Sequence, residues 1–280
     1  MSTRTDCVGF AGLWLLQVKK LNIKVNFSNS LNAEGRRTMK KLDGYTRFDI
    51  VRLLGDGEHF VGIELGVAAG DFSQAMVKSG LFKEFWGVDM YADTHDTAQY
   101  KEAINKVGIG ENYKLLRMTF DDAIDLFPEN YFDFIYLDGY AGNGFEGGKT
   151  LRTWASKVKV GGIIAGDDYH EECPLLKRIV DEFVNQNDFE FYVTEGAFDF
   201  SAYGHYPSWA VRKTHEVLGE TSLELMNEGL EIARRSKAKK KRAKKIDDFI
   251  KRVLPRETHA KLRNWNRDRK QARRRRKAGK

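Results

Sequence analysis

Short apolar segments alternate with segments of helical periodicity through the middle of the chain, and this alternation restricts the possible folds more than any other feature. Each of the first five apolar segments has the length of a strand and is followed by a segment with helical spacing. Parallel strands need crossover connections that return over the sheet, so the pattern predicts a mostly parallel sheet with helices on both faces. The predicted strands are residues 59–65, 84–90, 113–118, 131–138, 161–168, 189–196 and 208–213.

The last two predicted strands follow each other without a segment of helical periodicity between them. Strands joined without a crossover pair antiparallel, so we expect these two at an edge of the sheet. The predicted fold class is therefore α/β and Rossmann-like, with seven strands, most of them parallel, and an antiparallel edge hairpin.

Charge is distributed unevenly along the chain. Residues 234–280 hold 23 lysines and arginines and four acidic residues, a net charge of +19 within a whole-chain value of +7. The rest of the chain therefore has a net charge of −12. Such asymmetry is typical of chains that contact nucleic acid or another anionic surface. It does not identify a reaction.

These patterns divide the chain into four segments. Residues 1–44 have no clear period and are predicted to be an N-terminal extension or lid, and residues 45–215 contain the predicted sheet. Residues 216–233 have an apolar stripe at helical spacing and are predicted to form a helical connector. Residues 234–280 contain runs of like charge, so we expect a tail that is disordered when free.

No segment indicates secretion or a membrane span. The apolar stretch from Val8 to Val18 is interrupted by glycines and is shorter than the roughly 20 residues that a spanning helix needs. The two cysteines, Cys7 and Cys173, lie in no zinc or redox motif. We therefore expect a cytoplasmic protein.

The first predicted strand leads into a turn of small residues. The segment GIELGVAAGDFS places Gly66, Ala68 and Gly70 between Glu64 on the strand and a helix that begins near Phe72. Such a turn leaves backbone N–H groups at the edge of an open α/β sheet where ligands bind. The spacing differs from the GxGxxG of nicotinamide enzymes, and an ordinary tight β–α turn has similar residues.

An acidic residue, Asp89, ends the second predicted strand. At this place a carboxylate accepts hydrogen bonds from the two hydroxyls of a ribose, although it could instead cap the following helix. After the third strand, Thr119 and Asp121 could contact an adenine edge, with Phe120 or Met90 covering its face. A helix N-cap and a core aromatic would explain these residues equally well. The paired motifs fit an adenosine-containing cofactor.

In these motifs the chain resembles the class I methyltransferases over residues 45–213. IELGVAAG is similar to their glycine-rich first motif, VDMY to the acidic end of their second strand and YFDFIYLDG to their fourth strand. Residues 137–170 are similar to the metal-dependent sugar and natural-product O-methyltransferases related to macrocin O-methyltransferase, and more distantly to catechol O-methyltransferase. The resemblance implies S-adenosylmethionine as cofactor and magnesium ligands at Asp138, Asp167 and Asp168.

The predicted cofactor-binding residues are Glu64, Gly66, Ala68, Gly70, Asp89, Met90, Thr119, Phe120, Asp121 and Asp138.

The three predicted magnesium ligands also converge in the predicted fold. Asp138 and the pair Asp167-Asp168 end neighbouring strands, so their carboxylates would meet in one crevice. A hard, oxygen-seeking cation such as Mg²⁺ would relieve their repulsion and activate a bound hydroxyl. The pair could alternatively cap the following helix, as in methyltransferases without metal.

O-methylation needs a proton acceptor. Related sequences often have a histidine soon after the Asp-Gly of strand four, whereas this chain has the segment YAGNGF there. The candidates for the base are His170 and Lys149, with Tyr140 as a further one, because each flanks the predicted metal site. A lone histidine at this place is also common as a surface or capping residue.

Three functions are compatible with these features. The first is O-methylation of a hydroxyl on a sugar or other small polyol. The second is methylation of RNA or DNA, with residues 234–280 supplying the attraction to phosphate. The third is a noncatalytic module that keeps a nucleotide pocket. The three aspartates favour O-methylation, and no NPPY-like sequence, typical of base aminomethylation, follows strand four. The basic tail favours methylation of nucleic acid. The presence of Gly66 and Asp89 argues against a noncatalytic module.

Overall fold

The computed structural model describes residues 39–92, 95–195 and 206–253 of the chain. Within these ranges the strands are β1 (Lys40–Leu42), β2 (Phe60–Leu65), β3 (Phe82–Val88), β4 (Tyr113–Leu116), β5 (Phe132–Leu137), β6 (Val158–Gly166), β7 (Glu190–Thr194) and β8 (Trp209–Arg212). The α-helices are α1 (Asp71–Lys78), α2 (Thr97–Val107), α3 (Phe120–Ala123), α4 (Lys149–Ala155), α5 (Pro174–Asn187) and α6 (Leu223–Val253). Short 3-10 helices cover Ile50–Leu54, Ile124–Leu126 and Ala141–Asn143.

The described strands form one sheet in the order β1–β7–β8–β6–β5–β2–β3–β4. β8 runs antiparallel to both of its neighbours, and all other pairs in this sheet are parallel. The helices between β2 and β7 supply the crossovers that parallel strands need. The predicted fold class, a Rossmann-like α/β fold with a mostly parallel sheet and an antiparallel pair, is confirmed.

The sheet has one strand more than the seven predicted. β1 pairs in parallel with β7, with Lys40 opposite Tyr192 and Leu42 opposite Thr194. The folded domain therefore begins before the predicted boundary at residue 45. The sequence did not predict β1 because a strand of three residues, two of them lysines, has no recognisable period. Backbone pairing to an otherwise open sheet edge holds β1 in place, as does an ion pair between Lys40 and Glu190 at 3.2 Å. Most of the predicted extension, residues 1–38, lies outside the described residues.

Hydrophobic side chains fill both faces of the sheet. Along β5, Ile135 and Leu137 belong to one buried cluster and Phe134 and Tyr136 to another. Successive side chains of a strand point to opposite faces, so these two clusters are the two layers of core that flank the sheet. Burial on both faces explains why the predicted strands read as continuous apolar runs.

The helix α6 extends past the predicted end of the connector at residue 233 and ends at Val253. Residues 234–253 are therefore helical where the charge pattern suggested disorder. Lysine, arginine and alanine, which dominate this stretch, are good helix formers, so helical propensity prevails over repulsion between like charges. The first part of α6 is attached to the domain by the buried Leu225 and by ion pairs of Arg178 with Glu224 and Glu228.

The remainder of the predicted tail, residues 254–280, lies outside the described residues. Within the described ranges, none of the helices is both long and apolar enough to cross a membrane.

Candidate active site

The loops after β2 and β5 meet where the sheet order changes direction. β2 pairs with β3 on one side and with β5 on the other, so the crossovers diverge at this point. Open α/β sheets bind ligands at the carboxyl ends of the strands beside such a switch point. A Cβ atom on Gly66 would lie 2.6 Å from the backbone nitrogen of Gly139, and Gly66 has a φ of 101°. Both the contact and the dihedral angle require glycine at this position.

The predicted turn of small residues is held from the next strand. Ala68 has a φ of 49°, a left-handed conformation that costs a non-glycine residue free energy. Its backbone N–H donates to the Asp89 carboxylate at 3.0 Å, and its carbonyl accepts from the Tyr91 hydroxyl at 2.9 Å. The residues after β3 thus stabilise the turn after β2.

Asp89 is buried and forms three hydrogen bonds. Its carboxylate accepts from the backbone N–H groups of Ala68 and Tyr91 and contacts His95 Nδ1 at 2.7 Å. Burial alone would raise the pKa of Asp89, but the hydrogen bonds from His95, Ala68 and Tyr91 hold it below its usual value. These bonds fix the carboxylate at the end of β3, beside the turn at Ala68.

Glu64, another predicted cofactor residue, is fully buried on β2. Its carboxyl group accepts a hydrogen bond from the Ser73 hydroxyl, and Ser73 accepts one from Tyr113. Glu64 is therefore part of an internal hydrogen-bond network between the sheet and α1.

The loop after β4 contains the predicted adenine contacts. Thr119 is the N-cap of α3, accepting from the Asp122 backbone at 3.1 Å. Phe120 is buried and stacks on Tyr140 with the ring centroids 4.1 Å apart. Asp121 is exposed and ion-paired with Lys149, and Met90 is half-buried after β3. Thr119 is thus a helix cap and Phe120 a core residue, as the alternative interpretation expected. Their contacts with adenine stay predictions.

An arginine joins two of the three predicted metal ligands. Asp138 follows β5 and Asp167 follows β6, and the Arg47 guanidinium donates to one oxygen of each carboxylate at 2.9 Å. Asp167 also accepts from the Ser208 hydroxyl at 3.0 Å, and Asp138 from the Gly139 N–H at 2.6 Å. The carboxylates at the ends of β5 and β6 thus lie close together, as predicted, and the Arg47 guanidinium group lies between them.

Asp168, the third predicted ligand, has a left-handed φ of 61°. Burial, followed by the negative charges of Asp167 and Asp138, raises its pKa to about 7. Arg47 lowers this pKa, but by less than the other three effects raise it.

The three aspartates do not fit a magnesium site in this arrangement. Both Asp138 and Asp167 have an oxygen committed to Arg47, whereas a divalent cation would need those oxygens as ligands. Across the described ranges, no group of three or more His, Cys, Asp or Glu side chains is arranged to hold a metal ion.

A pocket lies beside Asp167, over the ends of β5 and β6 and the start of β8. Burial raises the pKa of the Glu146 carboxyl group, which lines it. Trp209 is 1% exposed, and its Nε1 has no hydrogen-bond partner among the described residues. The pocket therefore combines apolar walls with two carboxyl groups. Its lining residues are Leu137, Ala141, Gly142, Gly144, Glu146, Gly148, Leu151, Asp167, Leu176, Ile179 and Trp209.

Each candidate base already has a partner. His170 stacks on Tyr206, and its Nδ1 accepts from the Glu172 N–H at 3.1 Å. Lys149 pairs with Asp121 at 3.0 Å, with both side chains exposed. The Tyr140 hydroxyl accepts from the Phe120 N–H, and burial raises its pKa to about 12.

The sequence interpretation missed Arg47, Glu146 and Trp209. Arg47 precedes its partners by 91 and 120 positions, so no local motif links them. One weak signal in the sequence pointed to Arg47: it is a charged residue at the start of a mainly apolar segment, RFDIVRLL, just ahead of the glycine-rich motif.

Comparison with protein families gives one match. Residues 61–169, less than half of the chain, match the family model described as a methyltransferase domain. No curated protein matches the sequence significantly.

The solved structures that are similar to the chain include three described as methyltransferases or methylases. A candidate O-methyltransferase from Klebsiella pneumoniae is 13% identical, with a TM-score of 0.45 over 60% of this chain and 78% of that one. An O-methyltransferase from Bacillus cereus in complex with SAH is 13% identical, with a TM-score of 0.44 over 59% and 79%. An rRNA methylase from Streptococcus thermophilus is 13% identical, with a TM-score of 0.42 over 57% and 89%.

The family match and the central part of the sheet cover the same residues. The matched segment includes the turn at 66–70, Asp89 and all three aspartates at the ends of β5 and β6. Residues 61–169 thus match a methyltransferase domain and include the switch point of the Rossmann-like sheet.

Proposed function

We propose that this protein is an S-adenosylmethionine-dependent O-methyltransferase whose acceptor is a hydroxyl group of a sugar or other small polyol. The observation that carries the proposal is the arrangement of one crevice. The turn at 66–70 and Asp89 lie on one side of the switch point, and the pocket lined by Asp167 and Trp209 lies on the other.

The side of β2 and β3 suits the cofactor. Asp89 is ionised at neutral pH, because its hydrogen bonds hold its pKa low, and an ionised carboxylate can accept a hydrogen bond from a ribose hydroxyl. When bound, S-adenosylmethionine would supply a methyl group on a positively charged sulfur. The stabilised turn at Ala68 keeps the backbone in place for such a ligand before it arrives.

The side of β5 and β6 suits a compact polar acceptor. Asp167 accepts from Arg47 and Ser208 and has lone pairs left for a hydroxyl, while Leu176 and Ile179 provide apolar contact. The pocket itself has room for about one water molecule, so a molecule with several hydroxyl groups on a small carbon frame would lie over its mouth and place one hydroxyl inside.

The proton of the acceptor hydroxyl has to leave as the oxygen–carbon bond forms and the carbon–sulfur bond breaks, with sulfur keeping the electron pair. We keep His170 as its acceptor. The Nδ1 lone pair becomes available when the exposed hydrogen bond from Glu172 opens. Lys149 is less suited, since its paired ammonium group has no lone pair. Magnesium is left out of the proposal because Arg47 is bonded to its predicted ligands.

A second candidate function, methylation of RNA or DNA, is favoured by one observation. From Arg234 onward α6 presents exposed lysines and arginines, and Arg235 is about three-quarters exposed. A cationic helix next to a methyltransferase domain would attract phosphate backbones independently of base sequence.

The proposal is tested by calorimetric titration of S-adenosylmethionine into the wild-type protein and Asp89→Asn. We expect saturable binding by the wild type and a loss of about tenfold or more in the variant, since a charge-assisted hydrogen bond is removed. Asp71→Asn, an exposed aspartate paired with Lys106, is the control and should bind normally. Folded wild-type protein that does not bind the cofactor would refute the proposal. Transfer of a labelled methyl group to RNA but to no member of a polyol panel would replace it by the second candidate.

A further inference from the structure

Arg47 lies between two carboxylates that come from neighbouring strand ends. Its Nη1 is 2.9 Å from Asp167 and its Nη2 is 2.9 Å from Asp138. Arg47 and Asp167 are both buried, and Asp138 is about a quarter exposed. Two carboxylates this close would repel each other strongly in a buried crevice, so their charges need a cation.

Both carboxylates also accept hydrogen bonds from neutral donors. The second oxygen of Asp138 accepts from the Gly139 N–H, and that of Asp167 accepts from the Ser208 hydroxyl. Each of the four carboxylate oxygens therefore has a donor within the protein. A divalent cation could bind here only by displacing the guanidinium group.

Aromatic rings hold the guanidinium group in place. Its Cζ lies 5.1 Å from the Tyr136 ring centroid, 5.3 Å from that of Phe72 and 6.0 Å from that of Phe48. Tyr136 is itself anchored by a 2.8 Å hydrogen bond with Ser208, which also contacts Asp167. Arg47 is thus an integral part of the crevice, and a planar cation suits these contacts better than lysine would.

We infer that Arg47 is the resident cation of this site: it balances Asp138 and Asp167 where the resemblance to metal-dependent enzymes implied magnesium. It keeps Asp167 in the wall of the pocket and excludes divalent cations from the strand ends. This inference concerns cation binding alone, and it holds whether or not the proposed acceptor is correct.

The test is a titration of Mn²⁺ into the full chain without cofactor, followed by water-proton relaxation. We expect no saturable binding by the wild type. Arg47→Gln leaves two carboxylates without a counter-charge, so its affinity for Mn²⁺ should exceed that of the wild type by roughly tenfold or more. The double variant Arg47→Gln with Asp138→Asn should lose this gain. Arg52→Gln, which removes an arginine paired with Asp49 on the same segment, should behave as the wild type.

Saturable Mn²⁺ binding by the wild type that disappears in Asp138→Asn would overturn the inference. Folded Arg47→Gln with no gain in affinity would overturn it as well, since the carboxylates would then have no capacity for a metal. If Arg47→Gln does not fold, the wild-type titration and its Asp138→Asn partner decide the matter alone.

Discussion

The carboxyl group of Glu64 accepts a 2.5 Å hydrogen bond from the Ser73 hydroxyl in the buried layer between β2 and α1. Burial raises the pKa of Glu64 to about 8, although Ser73 and Arg47 act in the opposite direction; Asp138 and Asp89 raise it further. At neutral pH this buried acid is therefore mostly protonated, in contrast to Asp89 on the neighbouring strand.

The first prediction follows from that pKa. The unfolded chain releases the Glu64 proton near 4.5, whereas the folded chain keeps it up to about 8, so the folded state binds more protons in between. The stabilisation by protonated Glu64 is complete at acidic pH and is lost as the pH rises from about 4.5 through about 8. Glu64→Gln removes this group, so the free energy of unfolding in urea should fall less over this range than in the wild type.

Glu102→Gln, which changes an exposed acid on α2, is the control for this experiment. Parallel pH profiles for the wild type and Glu64→Gln would show that Glu64 titrates normally and would contradict the prediction.

The second prediction concerns the contact between the loops after β2 and β5. Gly108→Ala adds a Cβ in open space at a φ of 91°, so only backbone strain of about 1–2 kcal/mol is expected. Gly66→Ala adds a Cβ at a φ of 101° against the Gly139 backbone, so steric overlap should cost about 1–3 kcal/mol more. Denaturant unfolding of both variants measures the difference, and equal losses would mean that the two loops separate without cost.

The third prediction tests the proposed base. His170→Gln should lower the rate of methyl transfer by about 10²–10⁴-fold, the usual contribution of general base catalysis, and leave cofactor affinity unchanged. His59→Gln is the matched control, since His59 precedes β2 at the opposite end of the sheet. Single-turnover rates across neutral pH give the measurement, and a rate for His170→Gln equal to that of the control would exclude His170 as the base.

The fourth prediction separates the two candidate functions. Deletion of residues 234–280 removes a net charge of +19 and should abolish salt-sensitive binding of RNA or DNA while cofactor affinity stays the same. Fluorescence anisotropy with a labelled duplex over a series of salt concentrations provides the measurement. If the truncated protein keeps the same affinity and the same salt dependence, the basic segment takes no part in binding nucleic acid.

Much of the fold could be predicted from the sequence because its signals are local. The apolar runs of β2 to β7 and the helices between them repeat at the spacing that parallel crossovers require, and the turn at 66–70 and Asp89 lie at the ends of adjacent strands. β1 was not predicted because a strand of three residues has no recognisable period. α6 extends beyond its predicted end because helical propensity offsets the repulsion between like charges.

By itself, the sequence determined most of the sheet. It also placed Asp89, Asp138 and Asp167 at the carboxyl ends of strands, and hence at the crevice in which a ligand would bind. Only the tertiary structure decided which charge balances those acids, since Arg47 reaches them from 91 and 120 positions away. Periodicity records which face of an element is buried, whereas the partner of a buried charge depends on packing between distant segments, and no local pattern encodes that choice.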